Sequence, residues 1–366
     1  MRVNNDDALR SFKRELEGEI KNSSKIFIVG HNSPDFDAIG SAIGLYSFIK
    51  RFGKESYIIV NDDPAKIESG VKKIIDDNRD IINIIDKREC LELLDNNSML
   101  IVTDTNKPDK ISVGDSIDLF NKIAVIDHHF KTNESIKTTL IYINSQSSSA
   151  SEIVTRMLNM SKVKYGGLTA NYLLAGISLD TDRFKKNTTA LTHDVAEKLI
   201  RRGADMNFVN NLFLQDFNSF CHVASLIIYD NTIRKIYTDS LPPIQVSFSL
   251  NREAPKSIYK KEDCAKAADR MMKFIDTDAS FVMGYIDARI VHVSARGGKR
   301  VNVGKIMESV GGGGNFQNAG VQIETNDIFE VEQELINNVP LGISSSEDII
   351  NPLEIRSKQL SKRSKK

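Results

Sequence analysis

The chain has 366 residues, 40% of them apolar and 27% charged, with 49 basic side chains balancing 49 acidic ones. This length allows two domains, and the composition is that of a folded globular protein rather than a disordered or fibrous one. Zero net charge argues against an overall field for nucleic acid or anionic membrane, no apolar run reaches the roughly 18 residues of a membrane span, and the polar start MRVNNDDALRSFKRELEGEI is no signal peptide, so a cytoplasmic protein is expected.

In chain order, KIFIVG (25–30), ESYIIV (55–60), SMLIVT (98–103) and KIAVID (122–127) read as buried strands rich in Ile and Val. AIGSAIGLYSFIKRF (38–52) and ASEIVTRMLNM (150–160) read as helices between or after them. Continuous apolar strands separated by helices predict an α/β fold with a doubly wound, mainly parallel sheet over residues 1–204. A further apolar segment, NYLLAGISLDTDRF, is placed with them as a strand end carrying Asp180 and Asp182.

Residues 205–224 are expected to form a helical linker. A smaller α/β domain with a mixed sheet is expected over 225–343, with strands TIRKIYT and IQVSFSL joined across Pro242–Pro243, a helix at 261–274, and the hairpin SFVMGYI/ARIVHVSAR. Another helix, a glycine run and a final strand follow. The tail from Ser344 ends in RSKQLSKRSKK and has the composition of a solvated, disordered segment. Cys90, Cys221 and Cys264 match no zinc or redox spacing and read as buried thiols.

The chemistry-bearing residues collect where a doubly wound sheet presents its ligands, at the carboxyl ends of the strands. HNSPDFD places His31, Asp35 and Asp37 after the first strand, TDTNKPD places Asp104 after the third, and DHH places Asp127, His128 and His129 after the fourth. One Asp after a strand is ordinarily a helix cap, and one His is ordinarily structural. So many carboxylates at one sheet edge repel unless cations neutralise them. Carboxylates with a few imidazoles suit divalent ions, Mn²⁺ first, with Mg²⁺, Fe²⁺ and Co²⁺ open, and the ligands outnumber what one ion can use. A pair of ions is a general device for phosphoester hydrolysis and needs no Ser or Cys nucleophile. His193, His222 and His292 have no partner at ligand spacing.

GGGGNFQNAG (311–320) sits between a helix at about 302–310 and a strand. One glycine can be the helix C-cap, and a plain turn uses one or two. Four suggest that backbone N–H groups there approach an anion.

HNSPDFD, DTNKPD, DHH and LDT, in this order, resemble the four motifs of the DHH superfamily of phosphoesterases, and the glycine run resembles the signature of the DHH-associated substrate-binding domain. The likeness extends over roughly residues 22 to 340. SSSASEIV (147–154), CAKAADRMMKF (264–274), ASFVMGY (279–285) and SARGGKRVNVGKIMESVGGGG resemble the catalytic half of GdpP-type cyclic-di-AMP phosphodiesterases, whose membrane segment and sensory domains have no counterpart in this sequence.

The resemblance implies that His31 and Asp35 hold one metal, that Asp37, His128 and Asp180 hold the other, and that Asp104 bridges both. Asp127 then orients a histidine, and Asp104, His128 and His129 carry the catalysis. His129, Arg296, Gly312, Gly313, Gly314 and Asn315 contact substrate, with the glycine loop facing the metals. Asp35 and Asp37 are expected in an extended loop that points them apart, and Asp182 lies outside the motif. The implied reaction is manganese-dependent hydrolysis of cyclic-di-AMP to linear pApA. The rival readings are a nanoRNase acting on short oligonucleotides and pAp, and an inactive nucleotide-binding module. The partner is a cyclic dinucleotide or short oligonucleotide rather than duplex DNA, and a homodimer is left open. The sequence departs from the family at Asn315, where His is usual.

Overall fold

The computed structural model describes residues 5–61, 63, 67, 69–214, 217–228, 231–236, 244–250, 259–274 and 277–343. The connection through Pro242–Pro243 and the basic tail from Ser344 lie outside these residues. The chain divides into two compact units, Met1–Leu214 and Gln215–Lys366.

The first unit begins with α1 (Asn5–Lys21), then β1 (Lys25–Val29), α2 (Phe36–Lys50), β2 (Glu55–Ile59), α3 (Ser69–Asn78), β3 (Ile84–Ile85), α4 (Lys87–Leu93), β4 (Met99–Thr103), β5 (Lys122–Asp127) and β6 (Leu140–Ile143). It closes with α5 (Ala150–Met160), α6 (Gly167–Asp180), α7 (Ala190–Arg201) and α8 (Met206–Leu212). The six strands form one all-parallel sheet in the order β3-β2-β1-β4-β5-β6. The order reverses between β1 and β4, which makes a topological switch point where a crevice opens at the strands' carboxyl ends.

Alternate strand residues feed two cores. Ile26, Ile28, Met99, Ile101 and Ile126 face one cluster with α1, α2, α5 and α6, while Phe27, Val29, Leu100, Val102 and Val125 face the other. Burial on both faces explains why these strands are apolar at every position. The 171–184 segment, expected as a strand, is the second half of α6 and the turn beyond it. An apolar run buried on all sides does not distinguish helix from strand by periodicity. Its small residues let α6 pack closely on α2.

The second unit contains α9 (Phe217–Ile228), β7 (Asn231–Ile236), β8 (Ile244–Leu250), α10 (Lys261–Met271), β9 (Ala279–Asp287), β10 (Ile290–Gly297), α11 (Val303–Ser309), β11 (Gly313–Gly314), β12 (Asn318–Glu324) and α12 (Ile328–Gly342). Its sheet runs β11-β12-β10-β9-β8-β7 and is mixed, because β8 and β9 pair parallel and the other neighbours antiparallel. α11 and α12 cover one face, and α9 with α10 covers the other. The span 205–224 holds α8, whose Val209 joins the first unit's core, and the start of α9. Cys90 and Cys264 are buried, but Cys221 is exposed on α9, so the expectation of three buried thiols is corrected. Among the described residues no helix is long and apolar enough to cross a membrane.

Candidate metal centre

Because β1, β4 and β5 are parallel and adjacent in the sheet, the residues that follow them meet at one edge. Asp104 comes directly after β4, with φ +60°, and its N–H donates to the Ile126 carbonyl at 3.0 Å. A non-glycine residue in this left-handed region costs about 1–2 kcal/mol. Such outliers gather at functional sites, where the surroundings hold them in place.

Asp35 is the N-cap of α2. Its Oδ1 accepts from the N–H groups of Asp37 and Ala38 at 2.8 and 3.0 Å, a contact worth about 1 kcal/mol. Asp37 therefore lies in the first turn of a helix, not in an extended loop. The cap separates the two carboxylates: Asp35 stands 32% exposed on the His31 side, and Asp37 turns fully inward. Asp180 arrives from the C-terminal end of α6, not from a strand.

These side chains form overlapping donor groups. His31, Asp35 and Asp104 make one, Asp37, Asp104, His128 and Asp180 a second, and Asp104, Asp127, His128 and His129 a third, with donor atoms in each within 4.8 Å of one another. His31 Nε2 is 3.6 Å from Asp35 Oδ2 and 3.5 Å from Asp104 Oδ2. His128 Nε2 is 3.1 Å from Asp180 Oδ2, 3.3 Å from Asp104 Oδ1 and 3.9 Å from Asp37 Oδ2. Two ligands at right angles on an ion 2.0–2.1 Å away stand about 3 Å apart, so this spacing suits coordination. The buried atoms His128 Nε2 and Asp104 Oδ1 have no hydrogen-bond partner despite their short separation. Unpartnered buried donors gathered within 4.8 Å of one another fit divalent cations.

Burial opposes protonation of His128, but the carboxylates of Asp104, Asp180 and Asp37 outweigh it and raise the imidazole to about 11. Burial likewise works against His31, which Asp104 and Asp35 raise to about 10. Burial favours the neutral form of Asp104, yet the two imidazoles hold its carboxyl far below the usual range. Burial raises Asp37 and Asp180, and the neighbouring Asp104 charge adds to it.

Asp127 is fully buried and its Oδ1 gathers three donors: the N–H groups of His128 (2.7 Å) and His129 (3.1 Å), and His129 Nδ1 at 2.8 Å. That last contact raises the His129 imidazole above its ordinary value. Asn106 supports Asp127 by donating to its Oδ2 at 2.5 Å, while Ser135 Oγ donates to Asn106 Oδ1 at 2.6 Å. Sequence reasoning missed Asn106. Its place in DTNKPD, between the Asp104 ligand position and the strand bearing Asp127, was the available signal. Asp182 is set apart, half-exposed at φ +46° beside Lys185.

In the second unit, most of the glycine run is consumed by backbone geometry. α11 ends with Gly311 at φ +82°, whose N–H donates to the Glu308 carbonyl at 3.2 Å, and Gly312 N–H donates to Met307 at 2.8 Å. This is a Schellman closure. A Cβ on Gly312 would lie 2.5 Å from the Gly320 carbonyl oxygen, and one on Gly314, at φ +152°, would lie 2.4 Å from Ala319 Cα. Gly313 alone has ordinary φ and open space around it. The reasoning that four glycines exceed what a turn needs is therefore corrected: a cap followed by a short edge strand uses three. Asn315 Oδ1 accepts from the N–H groups of Gln317 and Asn318 at 2.9 and 2.8 Å. Arg296 pairs with Asp269 at 2.6 Å.

Strand order and site together define a doubly wound α/β domain with a cluster of Asp and His side chains at its switch point that could hold divalent cations. Residues 25–177 match the DHH family, N-terminal domain, and residues 244–339 match the DHHA1 domain; the chain belongs to the DHH family. It is 29% identical to the cyclic-di-AMP phosphodiesterase PdeA of Listeria monocytogenes, over 90% of this chain and 49% of that protein. It is 30% identical to the cyclic-di-AMP phosphodiesterase GdpP of Bacillus subtilis, over 89% of this chain and 49% of that protein. The chain thus spans about half the length of the curated relatives it matches. The fold is shared with an exopolyphosphatase-related protein of Bacteroides fragilis, at a TM-score of 0.71 and 20% identity, over 91% of this chain and 97% of that one.

Proposed function

We propose that this chain is a two-cation phosphodiesterase that hydrolyses cyclic-di-AMP to pApA. The observation that carries the reading is Asp104, which belongs to all three donor groups and so is, among the described residues, the one carboxylate placed to serve two ions. His31 and Asp35 would hold one ion, and Asp37, His128 and Asp180 the other. Manganese is the ion of choice for an oxygen-rich set with few imidazoles. When bound, a cation pair supplies Lewis acidity toward phosphate oxygens and acidifies water.

The chain's own residues do the remaining work. Asp127, tied by Asn106, fixes the ring of His129 through Nδ1 and leaves the other nitrogen for the solvent side, where the ring is 58% exposed. The contact with Asp127 raises the proton affinity of His129, which favours the form that donates to a phosphate oxygen. Arg296, Gly312, Gly313, Gly314 and Asn315 are proposed substrate contacts. Asn315 Oδ1 is engaged in its own turn, so its amide N–H₂ is the group on offer. The Listeria and Bacillus relatives reported above carry cyclic-di-AMP phosphodiesterase names, which supports the substrate.

Purified protein with Mn²⁺ should convert cyclic-di-AMP to pApA, followed by anion-exchange chromatography, and should turn over pApA and pAp more slowly. Turnover of pAp with cyclic-di-AMP untouched would reverse the assignment in favour of a nanoRNase.

A further inference from the structure

The serine-rich stretch 147–154 ends at the metal centre. Asp37 is fully buried, and each of its carboxylate oxygens accepts a backbone N–H from the first turn of α5: Oδ2 from Ala150 at 2.7 Å and Oδ1 from Ser151 at 2.8 Å. Ser149 caps that turn in an extended conformation, its Oγ accepting from Glu152 N–H at 3.0 Å. The Glu152 carboxylate turns back to accept from Ser148 N–H at 3.1 Å, Ser148 Oγ at 2.7 Å and Thr192 Oγ1 of α7 at 2.8 Å. Ser148, Ser149, Ser151 and Glu152 are all buried. The remaining side is closed by Gly176 of α6, where a Cβ would stand 2.3 Å from Ser151 Oγ and 2.7 Å from Asp37 Oδ1.

Burial and the neighbouring Asp104 and Asp180 both oppose a charged Asp37. Two charge-assisted hydrogen bonds and the positive end of α5 act in the opposite sense. Each oxygen gives one lone pair to a backbone donor and keeps another for a cation. Asp35 differs, because only one of its oxygens is tied, and the donors belong to the helix it caps.

We propose that the first turn of α5, closed by Gly176, is a positioning element that sets Asp37 in ligand geometry before any cation arrives. This makes Asp37, Asp104, His128 and Asp180 the pre-built half of the centre. The inference deepens the two-cation reading above and rests on it.

The discriminating variant is Ala150→Pro. Ala150 is the first residue of α5, and Ser149 before it has φ −166° and ψ 164°. Proline fits this helix position and this preceding conformation, so the change deletes one donor to Asp37 with little cost to the helix. Mn²⁺ is titrated calorimetrically into metal-free protein, with thermal unfolding of the same metal-free sample as the control. The expected result is a metal-free protein that still unfolds cooperatively and one binding step weakened about 10- to 100-fold, the other step moving less. A wild-type isotherm from folded Ala150→Pro would overturn the proposal.

Should that variant not fold, the pair Ser151→Ala/Gly176→Ala presses a methyl group on Asp37 Oδ1 and should weaken the same step. Ser151→Ala alone keeps its backbone N–H and should bind as wild type. Three identical isotherms would overturn the proposal by this second route. No substrate is present in either experiment. Tight, α5-dependent Mn²⁺ binding by a protein inert toward cyclic-di-AMP would therefore sustain this inference while the functional proposal failed.

Discussion

In the first unit, carboxylates and imidazoles from β1, β4, β5, α2 and α6 crowd one sheet edge and leave His128 Nε2 and Asp104 Oδ1 buried without hydrogen-bond partners. In the second unit, four consecutive glycines leave almost nothing over, since a helix closure and an edge strand account for Gly311, Gly312 and Gly314. Both stretches look anomalous in composition. Their difference lies in what the fold consumes. Backbone geometry explains a glycine without any ligand, whereas no backbone requirement explains like charges packed together with unpartnered atoms. The residue left over after folding is the better guide to function.

The largest effect that could break this contrast is at Asp104. Asp104→Ala removes a donor common to every group in the cluster, and phosphodiesterase turnover should fall at least about 10³-fold, a loss on the scale of removing a major electrostatic contributor. The fold should persist by circular dichroism, because the apolar cores on both faces of the sheet do not depend on Asp104. Substantial residual turnover would mean that the donor groups do not act as one centre.

Next in size is a pair of glycine substitutions. Gly314→Ala forces a Cβ to within 2.4 Å of Ala319 Cα at φ +152° and should destabilise the second unit by about 2 kcal/mol or more, seen as a lower denaturant midpoint. Gly313→Ala, in open space, should stay within about 0.5 kcal/mol. Equal costs would erase the distinction between consumed and spare glycines. If Gly313→Ala leaves stability alone but raises KM, the spare position is the substrate contact.

The smallest and most graded effect is with pH. His31 and His128 are raised to about 10 and 11 in the folded, metal-free protein, against about 6.5 when unfolded. Their stabilising contribution is therefore complete below pH 6.5 and lost as pH climbs toward 10 to 11. The raised Asp37 and Asp180 act in the same direction, since ionising them is harder in the folded state. The unfolding midpoint of metal-free protein should fall as pH rises above 6.5. Mn²⁺ should flatten that dependence and release protons as it binds, measurable by calorimetry in buffers of different ionisation heat. A flat metal-free profile would show that the imidazoles do not substitute for cations.

Much of the first unit was legible in the sequence because a parallel sheet buried on both faces demands unbroken apolar strands, and 25–30, 55–60, 98–103 and 122–127 have that form. β3 and β6 were not read: β3 has two residues and β6 four, too short for a pattern. α6 shows no helical period in its sequence, because a helix surrounded by α2, α5 and α7 has no polar face. In the second unit α12 went unread. Its Pro340 near the C-terminus interrupts the helical signal, although the helix carries the buried Val331, Leu335 and Val339.

The sequence by itself determined which residue types could do chemistry and that they follow strand ends, because chain order and strand polarity place them at one edge of a parallel sheet. Only the tertiary structure decided which carboxylate each helix turn holds. Ala150 and Ser151 reach Asp37 across more than 110 positions of chain, and Asn106 reaches Asp127 across 21. Such contacts run from backbone N–H groups and common polar side chains, whose identity says nothing of their partner until packing brings the two together.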